Sequence, residues 1–176
     1  FERLEEALLI ILPMLRGEPV SLDGERYQVT DAVNSPAPLS KVPVMIGGGG
    51  EKKTLRMVAQ YADESNLVGT TIEEVPRKLD ALAAHCERLG RDRSEITVTK
   101  LVMCHIAPTM EQAEADLLAT AGAKGWGAEV VDLVKEIMIY GDPDSVGEGL
   151  EAEMASGIDG MIINLPGCGH IPERVE

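Results

Sequence analysis

Four consecutive glycines, residues 47–50, lie between two segments of different periodicity in this chain of 176 residues. The short apolar run 42–46 precedes them, and Leu55, Val58 and Ala62 follow at the spacing of one helix face. The pattern predicts a strand, a glycine loop and a helix. Because ligands of α/β folds bind at the carboxyl ends of the strands, the loop is also a candidate binding site.

The alternation of strand and helix continues towards the C-terminus. Short apolar runs predict further strands at 65–69, 96–106 and 161–165. Their residues are apolar throughout rather than alternating, which is typical of a parallel sheet covered on both faces. We therefore predict an α/β fold. Four strands are too few for a closed (β/α)8 barrel, so a small doubly wound sheet and half of a barrel both remain open.

Local signals predict the helices between these strands. Thr71 and Glu74 form a capping box that opens a helix ending near Gly90. The other predictions are an acidic helix from Thr109, a glycine-rich break at 121–128, a helix at 130–140 and a last helix capped by Asp144 or Ser145.

The first 41 residues have a different character. Residues 1–16 show helical spacing, and Asp23-Gly24 is the turn signal of a hairpin over 19–31. A proline-rich loop over 32–42 follows. Since the first residue already lies in the helical pattern, we expect the chain to begin inside a larger fold. No internal domain boundary is predicted.

Composition excludes several classes of partner. The net charge of −14 opposes binding to a phosphate backbone, and the aromatic content of 3% leaves few side chains for base stacking. No apolar run reaches the roughly 18 residues of a membrane span, and the start resembles no signal peptide. Three scattered cysteines suggest free thiols, so we expect a cytoplasmic protein.

The glycine loop favours a phosphate as its ligand. Unpaired amides and the positive end of the helix dipole attract anions at a helix N-terminus, and glycine lets the backbone approach closely. The order Lys52-Lys53-Thr54 does not fit a P-loop, and position 52 holds no glycine for a dinucleotide fingerprint. A purely structural loop would need only one or two glycines, which makes cofactor or phosphate binding the preferred interpretation.

Three cysteine–histidine pairs are candidate metal ligands, but their spacing disfavours a metal site. His85-Cys86 and Cys104-His105 are adjacent pairs that point in different directions, and only Cys168 and His170 could converge. We predict no metal. His170 follows the last strand, where it is either an acid–base group at a barrel rim or a solvated loop residue.

Several stretches together resemble the luciferase-like monooxygenase superfamily, and the branch that uses the deazaflavin coenzyme F420 most closely. The residues that carry the resemblance are FERLEEAL at 1–8, VPVMIGGGGEKKTLR at 42–56, AQYAD at 59–63, GDPDSV at 141–146 and GIDGMIINLPG at 157–167. Their order and spacing cover nearly the whole chain.

The resemblance implies a fold. The family forms a (β/α)8 barrel with an insertion, in which 1–16 would be the fourth helix. Strands five to eight would be 44–47, 65–69, 96–106 and 161–165. The chain would then be one partial barrel domain over 1–176, with a helix and a hairpin or loop insertion in 1–41 and four βα units in 42–176.

The resemblance also implies a function, an oxidoreductase that transfers hydride between F420 and a small organic substrate. Alternatives are an FMN-dependent monooxygenase and a non-catalytic half-barrel fragment or assembly module. The expected cofactor-phosphate residues are Gly47, Gly48, Gly49, Gly50, Gly69 and Thr70. Catalytic residues are not assignable on this chain, and the open edges of a half barrel favour a homo-oligomer, a homodimer being the simplest.

Overall fold

The computed structural model describes residues 1–166 and shows an α/β fold. Its helices are α1 (Glu2–Leu15), α2 (Thr54–Tyr61), α3 (Val75–Leu89), α4 (Met110–Lys124), α5 (Ala128–Ile137) and α6 (Pro143–Ala155). Its strands are β1 (Val20–Asp23), β2 (Gln28–Ala32), β3 (Met45–Gly47), β4 (Glu64–Leu67), β5 (Thr97–Ile106), β6 (Met138–Gly141) and β7 (Gly160–Asn164). In this part of the chain no helix is long and apolar enough to span a membrane.

Five of the strands form one parallel sheet, and β5 is its central member. β3 pairs with β4, and β4 pairs with the first residues of β5. The ten-residue length of β5 leaves room for two further neighbours, since β7 pairs with its middle and β6 with its carboxyl end. The predicted parallel α/β sheet is therefore confirmed.

The main core lies between this sheet and helices α2 and α3. Leu55 and Val58 of α2 and Leu82 of α3 are completely buried against the sheet. The strand residues Ile46 and Val98 face this layer and are also buried. Removing such side chains from water is the dominant favourable term in folding, so this layer fixes the strands in place.

The opposite face of the sheet is exposed at β3 and β7. Met45 and Ile162 lie on it with 41% and 40% of their surface exposed. Ile46, Leu67 and Val98, by contrast, are buried. Because side chains alternate along a strand, these residues point to the chain's own helices instead.

A helix and a hairpin form the N-terminal part, as predicted. β1 and β2 are antiparallel, and the carboxylate of Glu6 in α1 accepts hydrogen bonds from the amides of Glu25, Arg26 and Tyr27 at the hairpin turn. These three bonds tie the hairpin to α1. Burial by itself would raise the pKa of Glu6, but the three amide donors outweigh it and hold the pKa below its ordinary value.

Acid should therefore loosen this hairpin. Since the folded-state pKa of Glu6 is lowered, its contribution to stability is present above the unfolded value and is lost as the pH falls through the folded value. We expect Glu6→Gln to lower the free energy of unfolding at pH 7 and to have a smaller effect near pH 3. Urea titrations at both pH values measure this, and an equal loss at both would contradict it.

Two predictions of secondary structure were wrong. Residues 138–141 form strand β6 rather than the end of a helix, so the described sheet has five strands instead of four. The break predicted from residue 121 begins later, because α4 continues to Lys124 and ends at Gly125 with φ +66°.

The cap of the last described helix also differs from the prediction. The Asp142 carboxylate, rather than Asp144 or Ser145, accepts the amide of Ser145 and opens α6. The predicted capping box of Thr71 and Glu74 is confirmed, although it opens a 3₁₀ turn that leads into α3.

Candidate functional site

Two loops meet at the carboxyl ends of β3 and β4. The strands are in register, with Gly47 opposite Asn66, and the Gly48 amide donates to the Asn66 carbonyl at 2.8 Å. The glycine loop 47–50 and the segment Gly69-Thr70 therefore leave the sheet side by side. The structure brings together all six residues predicted to bind the cofactor.

Three of the four loop glycines are required by the loop itself. Gly48 has φ +117°, a conformation that side chains disfavour. A Cβ at Gly49 would lie 2.8 Å from Oγ1 of Thr70, and one at Gly50 would lie 2.9 Å from Oγ1 of Thr54. The structural interpretation of the glycine run thus accounts for these positions.

At position 47, by contrast, no contact within the described chain requires a glycine. No heavy atom of the described chain lies within 4 Å of a Cβ built at Gly47, apart from its chain neighbours. Alternation along β3 puts it on the same open face as Met45, opposite the buried Ile46. The absence of a side chain at Gly47 leaves open space where the strand ends, which is what close approach of a ligand to the backbone requires.

The second loop closes the side of the first. Gly69 has φ +62° and precedes Thr70, which has only 7% of its surface exposed. The Thr70 hydroxyl faces Gly49, so it limits the width of the space beside the glycine loop.

Helix α2 points its N-terminus at the same place. It begins at Thr54, and Lys53 at its N-cap makes no side-chain capping bond within residues 1–166. Apart from Leu55, whose amide donates to the Gly50 carbonyl, the amides of the first turn have no partner inside the helix, so this end offers donors and a partial positive charge. The exposed side chains of Lys52 and Lys53 add positive charge.

Helix α3 supports the loop with side chains that the sequence analysis missed. The Glu51 carboxylate, directly after the glycines, forms an ion pair with Arg77 Nη1 at 2.6 Å and accepts a hydrogen bond from Lys78 Nζ at 3.0 Å. The hydrogen bond from Lys78 is the main cause that holds the pKa of Glu51 below its ordinary value. Lys78 also passes beside the loop, with Cε 3.7 Å from a Cβ built at Gly49. The contact of Lys78 with the loop could not be recognised from the sequence, because Lys78 lies 27 positions after Glu51 on another helix.

The cysteine–histidine neighbours form no metal site in residues 1–166. Cys86 is buried in the core, and this burial raises the pKa of its thiol. His85 turns the other way and contacts the Glu51 carbonyl with Nε2 at 2.7 Å. Cys104 and His105 are both buried on β5. Cys168 and His170, including the rim role considered for His170, lie outside the described residues.

One protein-family model matches most of this chain. The model of the family described as luciferase-like monooxygenase matches residues 1–160. The chain belongs to the luciferase-like monooxygenase family. The match confirms the resemblance seen in the sequence.

Individual relatives agree with the branch that the sequence resembles. The F420-dependent glucose-6-phosphate dehydrogenase of Microbacterium testaceum is 30% identical over 115 residues, which are 64% of this chain and 34% of that protein. An F420-dependent secondary alcohol dehydrogenase, solved with an F420–acetone adduct, aligns with a TM-score of 0.74 and 19% identity over 90% of this chain and 54% of that one.

A flavin enzyme of the family shares the fold too. The oxygenating constituent of 3,6-diketocamphane monooxygenase of Pseudomonas putida, solved with FMN, aligns with a TM-score of 0.64 and 14% identity over 92% of this chain and 55% of that one. The chain thus spans about half of these solved enzymes and about a third of the curated relative. Together with the parallel sheet, this coverage fits the predicted partial TIM barrel.

Proposed function

We propose that this chain carries the cofactor-phosphate half-site of an F420-dependent oxidoreductase that transfers hydride to or from a small organic substrate. The observation that carries the proposal is the open space at Gly47, beside the clustered loops 47–50 and Gly69-Thr70. The F420-dependent relatives support F420 as the cofactor. FMN is the alternative, favoured by the FMN complex that shares the fold.

The residues present fit a phosphate group. The N-terminus of α2 offers backbone amides, and the Thr70 hydroxyl adds a polar group at the side of the loop. Lys52 and Lys53 contribute positive charge at this loop in a chain whose net charge is −14. Charge-assisted hydrogen bonds of this kind are roughly twice as strong as neutral ones.

The cofactor supplies the redox chemistry when bound, accepting or donating the hydride. The part of the protein is to hold and orient it. Backbone amides fixed between β3 and α2 need little reorganisation on binding, which makes a phosphate here an anchor for the rest of the cofactor. The side-chain amide of Asn66, the residue opposite Gly47, donates to Thr99 Oγ1 on the next strand at 2.8 Å, which fixes a polar side chain beside Gly47.

Graded substitution at Gly47 tests the half-site. In Gly47→Ala and Gly47→Val the new Cβ would lie within 4 Å of no described atom outside the chain neighbours. We therefore expect both variants to keep the free energy of unfolding of the wild type. Because a side chain would occupy the open space, F420 affinity should fall about 10- to 100-fold, more for valine, as expected for loss of bonds to a charged group. Fluorescence titration measures affinity, and urea unfolding measures stability.

Gly147→Ala is the matched control. Gly147 lies in α6, and a Cβ there also meets nothing within 4 Å in the described structure. This variant should bind F420 as the wild type does. Unchanged affinity in both Gly47 variants would exclude the loop as the phosphate site, while tighter binding of FMN than of F420 by the wild type would favour the alternative cofactor.

The exposed face of the sheet supports a second proposal, that the chain is a homo-oligomer, with a homodimer the simplest form. Parallel sheets are normally covered on both faces, and Met45 and Ile162 lie open here. Sedimentation velocity at low micromolar concentration tests this. A dimer of the 18.9 kDa chain is expected, and a well-folded monomer would contradict it.

We also propose that the protein is cytoplasmic. We propose that its single domain divides into a helix and hairpin at 1–41 and βα units at 42–176.

A further inference from the structure

We propose that His85 is a positioning residue, which holds the glycine loop in the shape that binds the cofactor. The inference rests on the proposed function of that loop. His85 was noticed in the sequence only as a neighbour of Cys86, and nothing in the proposed phosphate site uses it. Its contacts in the structure point to the loop instead.

The hydrogen bonds of His85 define the state of its ring. Nε2 lies 2.7 Å from the Glu51 carbonyl oxygen, and Nδ1 lies 2.7 Å from Nη2 of Arg88. A carbonyl can only accept and a guanidinium can only donate. These contacts require the tautomer with its hydrogen on Nε2 directed at Glu51, and Arg88 donates to Nδ1. Arg88 orients the imidazole for its contact with the loop.

Glu51 is consequently held at two points by one helix. Its carboxylate is bound by Arg77 and Lys78, and its backbone carbonyl is bound by His85. All these side chains belong to α3, while Glu51 is joined directly to the last glycine of the loop. The loop thus has an anchor outside its own backbone.

A run of glycines needs such an anchor. Glycine loses more conformational freedom on folding than any other residue, and residues 47–50 have no side chains with which to hold their own shape. A binding site whose supporting contacts are fixed beforehand loses less free energy when its ligand arrives. The carboxylate contacts restrain the Glu51 side chain, but His85 restrains the backbone that presents the amides.

Three variants separate positioning from a general effect on α3. His85→Leu removes both hydrogen bonds, whereas His85→Gln keeps a donor and an acceptor. Glu87→Leu is the matched control, because Glu87 is an exposed position two residues further along the same helix. We expect His85→Leu alone to disturb the loop, and His85→Gln to restore it at least in part.

The first readout is amide hydrogen exchange of the chain without cofactor. The Gly48 amide donates to Asn66 O and the Leu55 amide donates to Gly50 O, so both report on the shape of the loop. In His85→Leu these amides should exchange about three- to tenfold faster, the effect of losing an ordinary hydrogen bond. The Ala107 amide, which donates to Gly141 O far along the chain, should exchange unchanged.

The second readout is the affinity for F420, which should fall by a similar factor in His85→Leu and stay near the wild-type value in the other two variants. Equal loop exchange in His85→Leu and Glu87→Leu would overturn the proposal, as would faster loop exchange with unchanged affinity. Failure of the wild-type chain to bind F420 would instead overturn the proposed function. The exchange measurement judges the loop contact independently.

Discussion

Replacing Lys100 by methionine is expected to destabilise the protein by about 3–5 kcal/mol, the usual cost of removing one partner of a buried ion pair. Lys100 lies in the middle of β5 with 5% of its surface exposed, and its Nζ contacts both carboxylate oxygens of Glu153 at 2.5 and 2.6 Å. Glu153 belongs to α6, so the pair joins that helix to the sheet. In Lys100→Met the carboxylate of Glu153 would stay buried without its cation. Urea unfolding at neutral pH measures the loss.

The double variant Lys100→Met with Glu153→Leu is the control for this prediction. Apolar residues of similar size in place of both charges often restore stability, because neither side then has a charge to desolvate. We expect the double variant to recover most of the loss. A single variant within about 1 kcal/mol of the wild type would mean that the pair is solvated, since exposed pairs contribute no more than that.

Local signals in the sequence were sufficient for most of the fold. The hairpin signal at Asp23-Gly24, the capping box of Thr71 and Glu74 and the helix end near Gly90 all depend on residues close together in the chain. The structure has the hairpin, the capping box and the helix end, although Asp23 itself closes β1 and the hairpin connection is 24–27. The apolar strand runs were recognisable for a similar reason. Ile46 of β3 and Val98 of β5 face the helix layer, where burial favours apolar side chains.

Strand β6 could not be found in this way. Its four residues continue the apolar spacing of α5, and a run so short has no periodicity of its own. It is a strand only because β5 extends beyond β4 and offers free backbone groups between Met103 and Ile106. That partner lies more than thirty residues earlier in the sequence.

The same distinction applies to the candidate site. The glycine loop was visible because glycine is unusual four times in succession, and the family resemblance added Gly69 and Thr70. Glu51, Lys78 and His85 are ordinary helix and loop residues whose meeting depends on how α3 packs beside α2. Their separation of 27 and 34 positions leaves no pattern in a single sequence.

The chain by itself is expected to bind F420 but to turn over substrate at least about a thousandfold more slowly than ordinary family rates. It spans about half of the secondary alcohol dehydrogenase that shares its fold, and the open face of its sheet is exposed at Met45 and Ile162. Precise placement of reacting groups contributes about 10⁵–10⁸ M in effective molarity, and each missing electrostatic donor costs about a further 10²–10³ in rate. A half-site that only anchors a phosphate would supply neither at the group that carries the hydride.

An assay with oxidised F420 and either glucose 6-phosphate or a secondary alcohol tests this expectation, since these are the substrate classes named for the F420-dependent relatives. Loss of the cofactor's visible absorbance reports hydride transfer, and the fluorescence titration of the same sample reports binding. Binding without turnover agrees with a half-site. Ordinary rates from the 176-residue chain would contradict it and would point to a second copy that completes the open face, since Met45 and Ile162 are exposed there. Sedimentation of the active sample would then have to show a dimer, so the activity and the assembly state test the same surface.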